Sequence, residues 1–165
     1  MLVLSRLSKT QNHGDFKKFD LSHVVRNASL YFESRAFEEE KQMYLDIDED
    51  ISIIGIPDRI DELVGILLDN ALKYSDEHSK IKLYLKRDKE NILLICENPC
   101  KDFDSSDLPH LFERFYRADK SHSGEKEGFG IGLSIAKEIV MLHKGSIYTS
   151  YNDNIFSVKV VFKAD

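Results

Sequence analysis

The stretch 127-EGFGIGLSIAKEIV-140 has glycine at positions 128, 130 and 132 and then runs directly into an amphipathic helical pattern. Each glycine costs conformational entropy on folding, and a helix gains nothing from it. A flexible linker would not continue into Ile131, Leu133, Ile135 and Ile139. Close approach of backbone amides to a ligand at a helix N-terminus fits better, and phosphate is the common ligand there. No Gly-Lys-Ser/Thr follows, so this is not a P-loop. A polar loop rather than a strand precedes it, which makes it a poor dinucleotide fingerprint. Taken alone, the stretch is open between packing glycines and phosphate contact.

Working outward, 57-PDRIDELVGILLDNALKYS-75 opens with Pro57 and Asp58, both good helix starters. Its apolar stripe is Ile60, Leu63, Val64, Leu67, Leu68 and Leu72, which predicts a helix over about 58–75. Asn70, Lys73 and Tyr74 stand at i, i+3 and i+4 and so share one surface. Asparagine is a poor mid-helix residue. Its oxygen suits a hard cation such as Mg²⁺, and the lysine suits phosphate oxygens. By themselves the two also read as a surface asparagine beside a solvated lysine. In 108-LPHLFERFYRADK-120, whose residues 108–117 are predicted as a short helical piece, Phe112, Phe115 and Tyr116 alternate with Arg114, Arg117 and Lys120. The rings suit an aromatic plug on the core, and the arginines are either solvated or bidentate donors to a terminal phosphate.

The 165 residues suit a single domain. A net charge of −6 argues against broad nucleic-acid binding, which needs a basic face. Cys96 and Cys100 lack partners for a zinc site and read as reduced thiols, one strand-buried and one on a loop. No apolar run reaches membrane-spanning length, so a soluble, cytoplasmic domain is expected. Asp20 can cap a helix with apolar positions Leu21, Val24, Val25, Ala28, Tyr31 and Phe32. "MYLDID" and "ISIIG" read as strands joined at Glu49–Asp50, and "KIKLYLKR" and "NILLICEN" as two more. The glycine-entry helix is stopped by Lys144–Gly145, and "SIYTSYN" with "NIFSVKVVFKA" forms a closing hairpin. That order predicts a two-layer α/β sandwich with a mixed β-sheet and helices on one face.

In this order and spacing, the three features resemble the catalytic ATP-binding domain of bacterial sensor histidine kinases, in the superfamily that includes the gyrase and MutL ATPases. "LLDNALKYS" is similar to that family's N box, "LFERFYRADKS" to its F box and "GFGIGLSIAKEIV" to its second glycine box. "VLSRLSKTQ" looks like the end of the helical hairpin that carries the phosphorylated histidine, so residues 1–12 are assigned to that remnant and 13–165 to the catalytic domain. The resemblance implies a Bergerat-type fold that binds ATP with Mg²⁺. Asn70 then matches the metal-coordinating asparagine, and Lys73 and Tyr74 match phosphate- and nucleotide-contacting positions. Arg114 and Arg117 become candidates for the terminal phosphate. Gly128, Phe129, Gly130, Ile131, Gly132 and Leu133 would line the nucleotide, and 118–127 would be a ligand-ordered lid. The implied partners are the dimerisation and phosphoacceptor domain of the same kinase and a response regulator. No nucleic acid is implied. The isolated domain is expected to be a monomer and the full-length kinase a membrane-bound homodimeric sensor.

Two positions depart from the family. Ile66 stands one turn before Asn70, where the family often has a polar residue. "NPCKD" replaces the first glycine box, with Asn98 at the adenine-reading aspartate and Cys100 and Asp102 at the glycines. Phe103 then falls where the family packs an aliphatic residue. On this alignment Asn98 accepts from the adenine amino group without a negative charge, and Asn98→Asp is expected to tighten ATP. The alternatives are a degenerate nucleotide-binding scaffold and a related ATPase or serine-directed kinase.

Overall fold

Alternation along two neighbouring segments, 80–88 and 91–99, puts every second side chain on one shared face, and most of the architecture follows from covering it. The computed structural model describes residues 16–114, 116 and 132–165. In chain order it has β1 (Lys17–Asp20), α1 (Leu21–Glu38), β2 (Gln42–Ile47), β3 (Ser52–Gly55), α2 (Pro57–Tyr74), β4 (Lys80–Asp88) and β5 (Asn91–Pro99). A 3₁₀ turn (Ser105–His110), α3 (Gly132–Leu142), β6 (Ser146–Asn152) and β7 (Ile155–Lys163) complete it.

The main sheet runs β2-β4-β5-β7-β6; β2 pairs with β4 in parallel and every other pairing is antiparallel. Its inner face carries Ile81, Leu83, Leu85, Ile92, Leu94, Cys96, Val158, Val160 and Phe162, all buried. Against it lies α2, with Ile60, Leu63, Val64, Leu67, Leu68, Ala71 and Leu72 buried. On α1 the residues Leu21, Val25, Ala28, Phe32 and Ala36 are buried, and on α3 Leu133, Ile135, Ala136, Ile139 and Val140; all belong to one core. Each buried Val, Leu, Ile or Phe among them contributes about 1.5–3 kcal/mol. The expected two-layer sandwich with a mixed sheet and helices on one face is the one observed.

Several details differ from the sequence reading. Strand β1 was not expected; "KKFD" has a single apolar residue, Phe19, and pairs with β3 in a separate two-stranded sheet. β2 and β3 therefore belong to different sheets. The N-terminus of α1 separates them: Ser22 Oγ donates to Asp48 O at 2.6 Å and accepts from Ile51 N at 3.1 Å, while Leu21 N donates to Ile51 O at 2.8 Å. Asp20 caps α1 as expected, accepting from His23 N. Tyr31, placed with the apolar positions of that helix, is 78% exposed. The short helical piece expected from Leu108 is a 3₁₀ turn that starts earlier, capped by Asp104, and ends at His110. At the end of α3 the left-handed residue is Lys144 (φ 60°), not Gly145. Gly145 is there because a Cβ would lie 2.6 Å from Val161 O.

His143 joins the end of α3 to the start of α2. Its Nδ1 donates to Ile139 O at 2.8 Å and its Nε2 accepts from Ile56 N at 3.0 Å, which requires the neutral ring. The ring occupies the space beside Gly55, where a Cβ would come within 2.4 Å of it. Burial lowers the His143 pKa, and the bond to Ile139 O only partly opposes this. A folded-state pKa below the unfolded value means that the stabilisation is complete above the unfolded value, near 6.5, and is lost as pH falls from there through the folded value. Thermal unfolding is expected to show a decline in stability between neutral pH and pH 5 that is shallower in His143→Gln. His143→Ala, which leaves the Ile56 N–H unpaired, is expected to cost about 1–3 kcal/mol at neutral pH by urea unfolding.

Candidate functional site

Because the apolar stripe of α2 must face the sheet and its flanking helices, the remaining arc faces away from the core. Asn70, Lys73 and Tyr74 are half-buried on that arc, in and just before the last helical turn. Lys73 Nζ lies 3.4 Å from Asp69 Oδ2, while Asp69 Oδ1 accepts from Arg35 Nη1 at 2.6 Å. Asp69 is thus shared between the two cations, with Arg35 at the shorter distance. Sequence reasoning missed Asp69 and Arg35 because the pairing spans two helices.

Beneath this turn is the end of β5. Cys96 Sγ donates to Leu67 O at 3.6 Å, and Asp76 N donates to Pro99 O at 3.0 Å. Asn98 points inward between these two ties and is 2% exposed. Its Nδ2 donates to Pro99 O at 3.2 Å, which leaves Oδ1 as the side chain's acceptor. Burial, with Glu97 adding to it, pushes the Cys96 thiol up to about 12, so it stays protonated and unreactive.

The segment after Asn98 follows a path that needs no glycine. Neither Cys100 nor Asp102 has positive φ. Cys100 N donates to Asn154 O at 2.8 Å, and Lys101 N donates to both Asp76 carboxylate oxygens at 3.1 Å. Tyr151 hydroxyl donates to Cys100 O at 2.5 Å. Phe103 packs on Tyr151 and on Phe156 with ring centroids 5.0 and 5.2 Å apart, and Phe156 is the cross-strand partner of Asn98. As expected, Cys100 is half-buried beyond the strand and both cysteines are free.

The third side is the start of α3. Gly132 faces α2 where a Cβ would meet only Ile66 Cγ2, at 3.6 Å, an ordinary contact. Packing among the described residues therefore does not demand glycine there. Leu133 is buried in the core rather than turned outward. Ile66, the non-ligating departure, is the apolar wall between α2 and this helix start. Of the F-box residues, Phe112 sits under Lys137 Nζ at 5.5 Å from the ring centre. Arg114 is 57% exposed on its side chain, with Nη2 3.7 Å from Glu138 Oε2, an oxygen closed to solvent and without a hydrogen bond. The structure thus places Arg114 beside α3 rather than beside Asn70. Arg117, Gly128, Phe129, Gly130, Ile131 and the expected lid over 118–127 lie outside the described residues, as does the 1–12 remnant.

The helix layer lies over a mixed sheet, and α3 starts at Gly132 against Ile66 of α2. A family model described as "Histidine kinase-, DNA gyrase B-, and HSP90-like ATPase" matches residues 55–163, and the chain belongs to that family. The sensor protein DltS of Streptococcus agalactiae serotype III (strain NEM316) is 40% identical over 147 residues, which is 89% of this chain and 37% of DltS. The sensor protein VanS of Enterococcus faecium is 29% identical over 161 residues, 98% of this chain and 40% of VanS. This chain thus spans less than half the length of these curated relatives. The nucleotide-free catalytic domain of histidine kinase ThkA has the same fold, with a TM-score of 0.79 at 21% identity, covering 90% of this chain and 95% of that one. No helix among the described residues is long and apolar enough to cross a membrane.

The buried position of Asn98 adds a cost to replacing it with aspartate. Asn98→Asp loses the donor to Pro99 O and puts a carboxylate against that carbonyl inside the core. Its stability is expected to fall by about 1–3 kcal/mol in urea unfolding, whatever the change does to nucleotide affinity.

Proposed function

We propose that this chain is the ATP-binding catalytic domain of a sensor histidine kinase, transferring the γ-phosphate of Mg-ATP to a histidine on a separate helical domain. What supports the reading is the ATPase family match over residues 55–163, together with Asn70 and Lys73 on the outward arc of α2 and Gly132 facing Ile66 one turn before Asn70.

The residues fit their proposed roles. Asn70 offers a neutral hard oxygen. Among the described residues no three His, Cys, Asp or Glu gather to hold a metal. A magnesium ion at Asn70 would accordingly take most of its oxygens from phosphates and water, as this ion prefers. Lys73, exchanged from Asp69, meets phosphate as a point charge, and Tyr74 borders the nucleotide. Asn98 Oδ1 accepts from the adenine amino group, with Phe103 backing it through Phe156. Gly128, Gly130 and Gly132 lend backbone amides to the phosphates, with Phe129, Ile131 and Leu133 shaping the same segment. Arg117 and Arg114 bear on the terminal phosphate, Arg114 only after leaving Glu138. Phosphoryl transfer needs positioning and charge neutralisation more than covalent chemistry from the protein. An incoming imidazole nitrogen bonds to the γ-phosphorus as the bond to the bridging oxygen breaks, and ADP leaves.

The sensor relatives extend the proposal to two-component signalling. The full-length protein is a membrane-bound homodimer whose phosphoacceptor domain passes phosphate to a response regulator, while the isolated domain is monomeric and cytoplasmic. Ile66 beside Asn70 and the hold of Asp69 on Lys73 favour one rival, a nucleotide-binding scaffold without transfer. Calorimetry separates the two. Asn70→Ala is expected to weaken Mg-nucleotide binding about ten- to hundred-fold while the protein stays folded. Equal affinity in the variant selects the scaffold.

A further inference from the structure

The last turn of α2 carries the proposed site, yet it ends without the usual glycine cap. Ser75, the residue after the helix, is extended (ψ 155°), and no left-handed residue follows directly to gather the terminal carbonyls. Those carbonyls still need partners. Lys41, from the turn between α1 and β2, supplies them. Its Nζ donates to Leu72 O at 2.8 Å and to Ser75 O at 3.3 Å. The two acceptors bracket Lys73 and Tyr74.

The lysine is held as firmly as its targets. Its side chain is only 11% exposed, and Lys41 N donates to Ala36 O at 2.8 Å, fixing the backbone where α1 ends. Glu39 Oε1 stands 3.9 Å from Nζ. A buried ammonium at the negative end of a helix dipole is a strong substitute for a backbone cap. On the other flank, Asp76 N donates to Pro99 O and the Asp76 carboxylate accepts from Lys101 N. The turn is thus pinned from both sides, and Lys41 is the pin on the α1 side.

We infer that Lys41 is a positioning residue for the nucleotide site: it holds the final turn of α2 so that Asn70 and Lys73 present to one ligand. This rests on the proposed reading of that ridge as the Mg-nucleotide site. Lys41 acts through the carbonyls of Leu72 and Ser75.

Lys41→Met keeps the apolar stem and removes the donors. Native-state hydrogen exchange is expected to quicken at the amides of Lys73 to Asp76 and to stay unchanged at Leu63 to Leu67. Affinity for Mg²⁺ with an imido-bridged ATP analogue is expected to fall about ten-fold. In a Lys73→Ala background the same change should cost little further, because the contact it positions is already gone. Should Lys41→Met not fold, the shorter Lys41→Gln replaces it in every measurement. Unchanged affinity in a folded variant overturns the inference. So does a loss that adds fully to that of Lys73→Ala, or exchange that rises evenly along α2. If the wild-type domain binds no Mg-nucleotide, the proposed function falls, and the exchange pattern alone decides whether Lys41 fixes the turn.

Discussion

Everything in this domain turns on the burial of α2. The helix lies on the inner face of the sheet and is flanked by α1 and α3, so seven of its residues must be apolar or small and only one arc can be polar. Rotating it by one residue would carry Lys73 or Asn70 towards the core, where an unpaired amide or ammonium costs several kcal/mol. The direction of the site's two principal side chains is therefore set by Leu67, Leu68, Ala71 and Leu72 rather than by any contact of their own. Core packing here is also site geometry.

What was legible in the sequence were the features with local periodicity. The α2 stripe, the strands β4 and β5 and the cap at Asp20 all came through, because each depends on neighbours within a turn or two. Pairing that depends on distant chain did not. "KKFD" is a strand only because β3 lies beside it, and β2 pairs in parallel with β4 only because α1 takes the Asp48–Ile51 connection. The candidate site divides in the same way. The shared face of Asn70 and Lys73 was legible from their spacing, whereas Asp69–Arg35 and the Lys41 contacts join residues more than thirty positions apart. The loop after Asn98 lacks the two glycines that the family has there. Asp76, Asn154 and Tyr151 instead hold it on a path that any residue can adopt.

The charges around the site share a common arrangement. Two of the cations assigned to phosphate in the proposed function face a carboxylate: Lys73 faces Asp69, and Arg114 faces Glu138. Neither contact is short, and Arg35 already satisfies Asp69 at much closer range. Ion pairs at such separations and exposures contribute little to stability and serve mainly to orient the side chains.

The strand order has a consequence for how the chain can be made. β5 is central to the sheet, and its second neighbour is β7, the last strand in sequence, with Asn91 opposite Lys163 and Pro99 opposite Ile155. During synthesis β5 leaves the ribosome long before that neighbour exists. Until β7 arrives, one edge of β5 is bare, with Ile92, Leu94 and Cys96 lacking their cross-strand partners. The domain cannot complete its core before β7 is made, and the exposed edge of a hydrophobic strand is the kind of surface that chaperones cover.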